Sequence, residues 1–355
     1  MDEVAVMFQL MMRRVLTAIC FMLIFGGPAK IAAQDPSKQQ EAIRIETNLV
    51  SVPVIVSDQQ GRYVAGLKRE DFTIYQDRIR QQIAFFATSE EPLNVALLLD
   101  TSKSTREILG EIKKTAAKFL KQLRPQDKAM VVTFDYDVHI LCPLTSDEKI
   151  VEKAVKKAEI GDFVGTTLRD AIIRVTSGHL RGITGRKAII LLTDGKDHRS
   201  QTTMRELLGS IEESDTMIYP IYYTTGPVAG RMRPQRMPMP FPRRGPFGRR
   251  FPMPRPQRFP GAQRPEINQR ANEKAEEFLQ SLADYSAGRF FRSDAGDLKK
   301  TFELITDELR YQYRIGFYPE SAQPGQSHQL KVEVTRPGLV VRARRTYRMP
   351  FPNAQ

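Results

Sequence analysis

The 355-residue chain has no tryptophan, only two cysteines and only four histidines. So few thiols and imidazoles exclude a disulfide-stapled fold and a zinc site built on cysteine. One cysteine, Cys20, falls within an apolar leader, which leaves Cys142 as the thiol of the mature chain. His139, His179, His198 and His328 are scattered without ligand spacing. Long apolar runs are missing as well. The charge-free stretch Val15 to Phe25 is eleven residues long, short of the roughly 20 that a membrane-spanning helix needs. A multi-span membrane protein is therefore excluded. With 41% apolar and 27% charged residues, the composition is globular rather than disordered, and the length implies two or three domains.

Arg13 and Arg14 precede the apolar run, and Gly26, Gly27, Pro28 and then Ile31-Ala32-Ala33 follow it. This order predicts a secretory signal peptide over residues 1–33, cleaved near Ala33, and hence a periplasmic or secreted protein. A single-helix anchor left uncut is the alternative. Charge is uneven too. The formal net charge is +13, and the stretch from Pro227 to Pro265 holds ten arginines, no lysine, no acid and eleven of the 23 prolines. That proline density is incompatible with helix or sheet interior, so 227–265 is expected to be a disordered Pro/Arg/Met-rich insertion of polyproline character. It reads either as an electrostatic patch for anionic polymers or lipid headgroups, or as a loop insertion without a task. No aromatic-interleaved RNA motif or helix-turn-helix pattern accompanies it, which argues against nucleic acid as the partner.

The rest of the chain changes texture twice. Residues 43–90 read as a small β domain, with strands at Leu49 to Val56, Phe72 to Tyr75 and Ile83 to Phe86. Residues 93–310 alternate apolar strands with helices. Strands are expected at Val95 to Leu99, Ala129 to Phe134, Ala188 to Leu192 and Met217 to Tyr222, with an edge strand at Val138 to Leu141. Helices are expected at Arg106 to Leu123, Asp147 to Ala158, Thr167 to Leu180, Thr203 to Ser214, Ile267 to Tyr285 and Ala295 to Arg310. That alternation predicts an α/β fold with a Rossmann-like, doubly wound, mostly parallel sheet. After it, residues 311–348 return to strands: Tyr311 to Tyr318, Gln329 to Thr335 and Leu339 to Tyr347. Three strands make a marginal unit, so they are expected either to complete a sandwich with 43–90 or to extend the α/β sheet.

Chemistry concentrates at strand ends. The strand Val95 to Leu99 runs into Asp100-Thr101-Ser102-Lys103-Ser104; Gly165-Thr166-Thr167 opens a later helix; and Ala188 to Leu192 runs into Thr193-Asp194-Gly195. In an open α/β sheet, ligands bind outside the carboxyl ends of the strands, so two acids and several hydroxyls arrive where a site belongs. An all-oxygen set with few charges selects a hard divalent cation, Mg²⁺ first, with Mn²⁺ or Ca²⁺ as substitutes. Taken alone, the Asp100-x-Ser102-x-Ser104 triplet also fits a helix N-cap. Asp135, Asp137, Asp197 and His198 read as exposed loop residues.

These residues resemble a known family. Leu97-Leu98-Leu99-Asp100-Thr101-Ser102-Lys103-Ser104 is similar to the first strand and metal loop of von Willebrand factor type A domains. Gly165-Thr166-Thr167-Leu168-Arg169-Asp170-Ala171 resembles their threonine loop, and Leu192-Thr193-Asp194-Gly195 their last metal-site acid. The resemblance implies a metal-ion-dependent adhesion site, with Ser102, Ser104 and Thr166 as direct or near-direct ligands and Asp100 and Asp194 closing the shell. Lys103 and Thr105 depart from the family's usual Gly and Met. In the flanks, Gly61-Arg62-Tyr63-Val64-Ala65-Gly66-Leu67, Glu70-Asp71-Phe72, Tyr75-Gln76-Asp77 and Ile315-Gly316-Phe317-Tyr318-Pro319 look like a group of secreted bacterial proteins common in acidobacteria, which has no established enzymatic activity.

Three functions compete on this reading. The first is an exported, non-enzymatic module that captures an acidic side chain of a protein partner through Mg²⁺. The second is a metal-dependent phosphate-ester hydrolase, disfavoured because Ser102 stands where a second acid would be needed and no Gly-x-Ser-x-Gly elbow exists. The third is a surface-association protein that binds anionic polymers or membranes through its Arg/Pro-rich insertion.

Overall fold

The computed structural model describes residues 49–223, 264–293, 297–320 and 323–350. The expected signal peptide and nearly all of the expected insertion lie outside the described residues. The last two residues assigned to the insertion, Arg264 and Pro265, already belong to a helix, Arg264–Ser286. Proline is tolerated in the first turn because its missing N–H has no helical acceptor there.

A six-stranded sheet forms the centre of the molecule. Its strands are β5 (Leu93–Asp100), β6 (Lys128–Phe134), β7 (Val138–Thr145), β8 (Arg186–Thr193), β9 (Met217–Tyr222) and β10 (Phe291–Arg292), in the spatial order β10-β9-β8-β5-β6-β7. All pairings are parallel except that of β7, which runs antiparallel along the edge beside β6. Every residue of β5, β8 and β9 is buried, as expected of parallel strands covered on both faces. Helices α1 (Leu109–Leu120), α2 (Glu148–Lys157), α3 (Leu168–Ile173), α4 (Met204–Glu213), α5 (Arg264–Ser286) and α6 (Leu298–Arg310) supply that cover. In α1, Leu109, Ile112, Ala116, Phe119 and Leu120 are buried, one stripe at helical spacing. Asp147 caps α2 by accepting from the Lys149 and Ile150 N–H groups at 2.9 and 3.2 Å, and Thr203 and Glu206 form a capping box on α4.

One helix differs from its expected form. The segment expected as a single helix from Thr167 to Leu180 is α-helical only to Ile173 and widens into a π-helix over Arg174–His179. There the Thr176 hydroxyl bonds the Ile172 carbonyl at 3.0 Å and lies 2.9 Å from Ser210 Oγ, a side-chain intrusion of the kind that loosens a helical ladder. Cys142 is a buried free thiol in β7.

The flanking strands from the two ends of the chain combine. β1 (Val50–Asp58), β2 (Phe72–Gln76), β3 (Ile79–Gln81) and β4 (Phe85–Ala87) precede the α/β region; β11 (Tyr313–Phe317), β12 (Ser327–Val334), β13 (Leu339–Ala343) and β14 (Thr346–Arg348) follow it. They form two four-stranded sheets, β13-β1-β11-β4 and β14-β12-β2-β3, each drawing strands from both ends. Val50, Val52, Val54, Val56, Phe72, Ile74, Ile315, Phe317 and Leu330 share one apolar core between the sheets. Two details depart from expectation. β3 is an added short strand, and the run Leu339 to Tyr347 breaks into β13 and β14, which belong to different sheets.

Charged groups join this sandwich to the α/β region. The fully buried Glu308 of α6 accepts from Tyr63 Oη at 2.9 Å and from the Arg342 guanidinium of β13. Arg344 donates to the Glu212 and Ser214 carbonyls at 3.0 and 2.9 Å and to the Ser51 carbonyl at 2.7 Å, tying the end of α4 to β1. Removing one partner of a buried pair strands the other charge. Arg342→Met should therefore lower stability by about 2 kcal/mol, less than a fully enclosed pair because Arg342 is partly exposed. Chemical denaturation should show most of that loss restored in the double variant with Glu308→Gln; additive losses would refute the coupling.

Candidate metal-binding site

The site is built where the strand order reverses. β5 connects through α1 to β6 on one side, while β8 lies on its other side, so a crevice opens beyond the carboxyl ends of β5 and β8. Their register pairs Leu99 with Leu192, which sets Asp100 next to Thr193. Thr193 Oγ1 donates to Asp100 Oδ2 at 2.7 Å, and the Ser102 N–H donates to Asp100 Oδ1 at 2.9 Å. Both carboxylate oxygens are thus held. Ser102 Oγ and Ser104 Oγ lie 2.9 Å apart on the short 3-10 turn Lys103–Thr105, Ser102 buried and Ser104 exposed. The Lys103 side chain is exposed.

The threonine loop is tied in on both sides. The Thr167 N–H and hydroxyl both donate to the Asp135 carbonyl, at 2.9 and 3.1 Å, and the Thr166 carbonyl accepts from the His198 and Arg199 N–H groups. Thr166 itself is buried. Gly165 sits at φ +154, and a Cβ there would approach Arg199 Cδ to 2.8 Å. Gly195, at φ +72, turns the chain after Asp194, and a Cβ at that position would lie 2.9 Å from the Ala275 Cβ of α5. Gly195 is required by both close approach and conformation, whereas Gly165 is required by its conformation, since the exposed Arg199 side chain can give way.

Asp100 and Asp194 are both almost completely buried. Burial, and after it the charge of Asp194, pushes the Asp100 carboxyl up to about 7. Asp194 is contacted by one nearby residue twice: Oδ1 accepts from the Lys196 N–H at 3.3 Å and Oδ2 faces Lys196 Nζ at 3.1 Å. Among the described residues no group of three or more His, Cys, Asp or Glu is placed to hold a metal, so an ion here has to draw on hydroxyls as well. A hard cation fits what is present. The donors are all oxygen, two buried carboxylates repel each other, and the Tyr223 hydroxyl is buried beside them without a hydrogen-bond partner among the described residues. Burial, and after it the charges of Asp100 and Asp194, raise its pKa well above the ordinary value.

The residues singled out in the sequence, Asp100, Ser102, Ser104, Thr166 and Asp194, therefore stand on three loops at one end of the sheet. Two readings need correction. Asp135 is buried, accepting from Thr101 Oγ1 at 3.0 Å and packing against Gly161, so it braces the loops rather than facing solvent. Its place after Phe134, at the end of an apolar strand, is the same signal that marks Asp100. Asp197 is half-buried and accepts from the Arg169 N–H at 2.9 Å, holding the start of α3. Lys196 was not singled out by its sequence context.

Residues 95–196 match the family model of the von Willebrand factor type A domain. That similarity to the von Willebrand factor type A domain covers less than a third of the chain. Similar solved structures include the BatB protein of Bacteroides thetaiotaomicron, 18% identical, covering 61% of this chain and 97% of that one at a TM-score of 0.42. A von Willebrand factor type A protein of Catenulispora acidiphila is 12% identical over 80% of this chain and 74% of that one, with a TM-score of 0.44. Proximal thread matrix protein 1 of the mussel byssus, in a structure with a zinc-occupied MIDAS motif, is 13% identical over 62% and 48% at a TM-score of 0.42. No curated protein matches the chain.

The raised Asp100 carboxyl has a measurable sign. Asp100 ionises near 3.8 when unfolded and about 7 when folded, so its contribution is fully favourable at low pH and is lost as pH rises through about 7. In EDTA the melting temperature should accordingly fall between about pH 4 and pH 7, and Asp100→Asn should flatten that part of the profile. An unchanged slope in the variant would show that Asp100 does not bear the shift.

Proposed function

We propose that the protein is an exported, non-enzymatic binding module that captures an acidic side chain of a protein partner through a divalent ion. Asp100, Ser102, Ser104, Thr166 and Asp194 would hold the ion, Mg²⁺ first, with Mn²⁺ or Ca²⁺ as substitutes. The observation that carries this reading is the burial of Asp100 and Asp194 at the carboxyl ends of β5 and β8, with a pair of serine hydroxyls 2.9 Å apart on the loop that follows β5. Neutral hydroxyls at the front leave a bound ion electrophilic, and the chemistry it supplies is an open position for an incoming carboxylate.

The chain's own residues then act by holding. The Ser102 N–H and Thr193 hydroxyl fix the Asp100 carboxylate, and the bonds of Thr167 to Asp135 fix the loop that bears Thr166. Hydrolysis would need a group to activate water or accept a proton from the attacking oxygen. Ser102 stands two residues after Asp100, where a second acid would serve, which supports binding over turnover. No helix among the described residues is long and apolar enough to cross a membrane; export rests on the leader pattern before Ala33.

Mg²⁺ at about 100 times its dissociation constant should stabilise the folded chain by about 2.7 kcal/mol. Asp100→Ala should abolish that shift and, in a pull-down from the protein's own cell envelope, lose whatever the wild type loses in EDTA. Partner capture that persists in both EDTA and the variant would overturn the metal-docking reading. A second reading rests on the ten arginines between Pro227 and Pro265. Deleting Arg231 to Gln263 should remove most binding to heparin or anionic vesicles while leaving the melting temperature within a few degrees, because a shorter connection costs little loop entropy. Unchanged heparin retention would dismiss the insertion as the anionic-surface element.

A further inference from the structure

Lys196 places an ammonium against one of the two acids assigned to the ion. Its Nζ lies 3.1 Å from Asp194 Oδ2, and its N–H donates to Oδ1 of the same carboxylate at 3.3 Å. The Asp194 side chain is 2% exposed and the Lys196 side chain 28%. The acid is thus fixed in the interior, whereas the cation sits at the rim with a flexible stem reaching solvent. We propose that Lys196 is a tethered counter-cation that neutralises Asp194 when the site holds no ion and is displaced from it when a divalent ion binds, setting the affinity of the site below what its oxygen donors alone would give.

The inference rests on the metal-site reading above and adds an internal competitor to it. The charge arithmetic favours exchange over coexistence. With both acids ionised, as above pH 7, Asp100, Asp194 and Lys196 together carry a formal −1; a divalent ion with the ammonium kept in place gives +1, and with the ammonium withdrawn from the pair the carboxylates and ion balance at zero. Inside a poorly solvated crevice, an uncompensated positive charge next to a doubly charged cation is the arrangement to avoid. More than a quarter of the Lys196 side chain already meets water, so an ammonium withdrawn from Asp194 has solvent to enter. Asp194 cannot follow it, since Gly195 turns the chain against α5 immediately afterwards. Lys103 supplies the internal control: it is also a lysine of the metal loop, but it is exposed on the turn between the two serines.

Titration calorimetry of the full mature chain with MgCl₂ decides the matter. Lys196→Met should bind Mg²⁺ roughly tenfold more tightly than wild type, the fold-change expected when a charge-assisted contact no longer has to be broken. Lys196→Arg, which keeps the charge, should stay near wild type. Lys103→Met should gain only the small factor that removal of a nearby solvated charge produces. A gain of affinity is a readout that loss of packing would not produce. Equal gains in Lys196→Met and Lys103→Met would overturn the proposal in favour of general electrostatics, and weaker binding in Lys196→Met would assign Lys196 a supporting role for Asp194 instead. Absence of Mg²⁺ heat in wild type and both methionine variants would reject the metal site itself, an outcome distinct from either.

Discussion

The parallel pairing of β5 with β8 is the constraint on which the candidate site depends. Its register sets Leu99 beside Leu192 and so brings Asp100 next to Thr193, with Asp194 one residue further along the chain. Strands buried on both faces cannot slip by a residue without turning their whole apolar set toward the wrong layer. Leu97 and Leu99 pack into one layer and Ala96 and Leu98 into the other, so the register is locked by both cores at once. The site inherits that rigidity. Two acids are carried into a buried position by the hydrophobic energy of the strands behind them, which is how carboxylates come to be where isolated ones would not settle.

Burial of the acids has consequences around them. Thr193, the Ser102 N–H and Lys196 each answer part of the charge, and the Asp100 carboxyl still rises to about 7. The loops that bring the hydroxyls are held by contacts among themselves, with Thr101 and Thr167 both meeting Asp135. Serine and threonine oxygens are well suited to this position because they donate or accept without adding charge. Under the proposed reading, few charges and many neutral oxygens would leave a bound ion open to a further ligand.

The sandwich and the α/β region share a buried polar seam. Glu308, Arg342 and Tyr63 meet at one point of it, and Arg344, Glu212 and Ser51 at another. Such contacts add less net stability than apolar packing of equal volume, but they are directional. Ile55, which points from β1 into the apolar layer of the α/β sheet, supplies the nonpolar part of the same seam. The positions of the flanking strands relative to the metal end of the sheet are therefore fixed by specific partners.

Local sequence determined the elements and which acids and hydroxyls gather at the strand ends. Apolar runs such as Val95 to Leu99, helical stripes such as Ile112, Ala116 and Phe119, and acids directly after strands are legible because period and burial act residue by residue. What only the tertiary structure decided are the facts that depend on who lies opposite. Asp135 looked like a loop acid and is a buried brace, because Thr101 and Gly161 come from distant segments to meet it. Lys196 gave no sign in sequence, since a lysine two residues after an acid is usually solvated, and only the turn at Gly195 folds it back onto Asp194. The run Leu339 to Tyr347 read as one strand and serves two sheets, because strand partners, not propensity, set where a strand ends. Local preference is written residue by residue; which side chains meet across different loops is decided by the packing that brings those loops together.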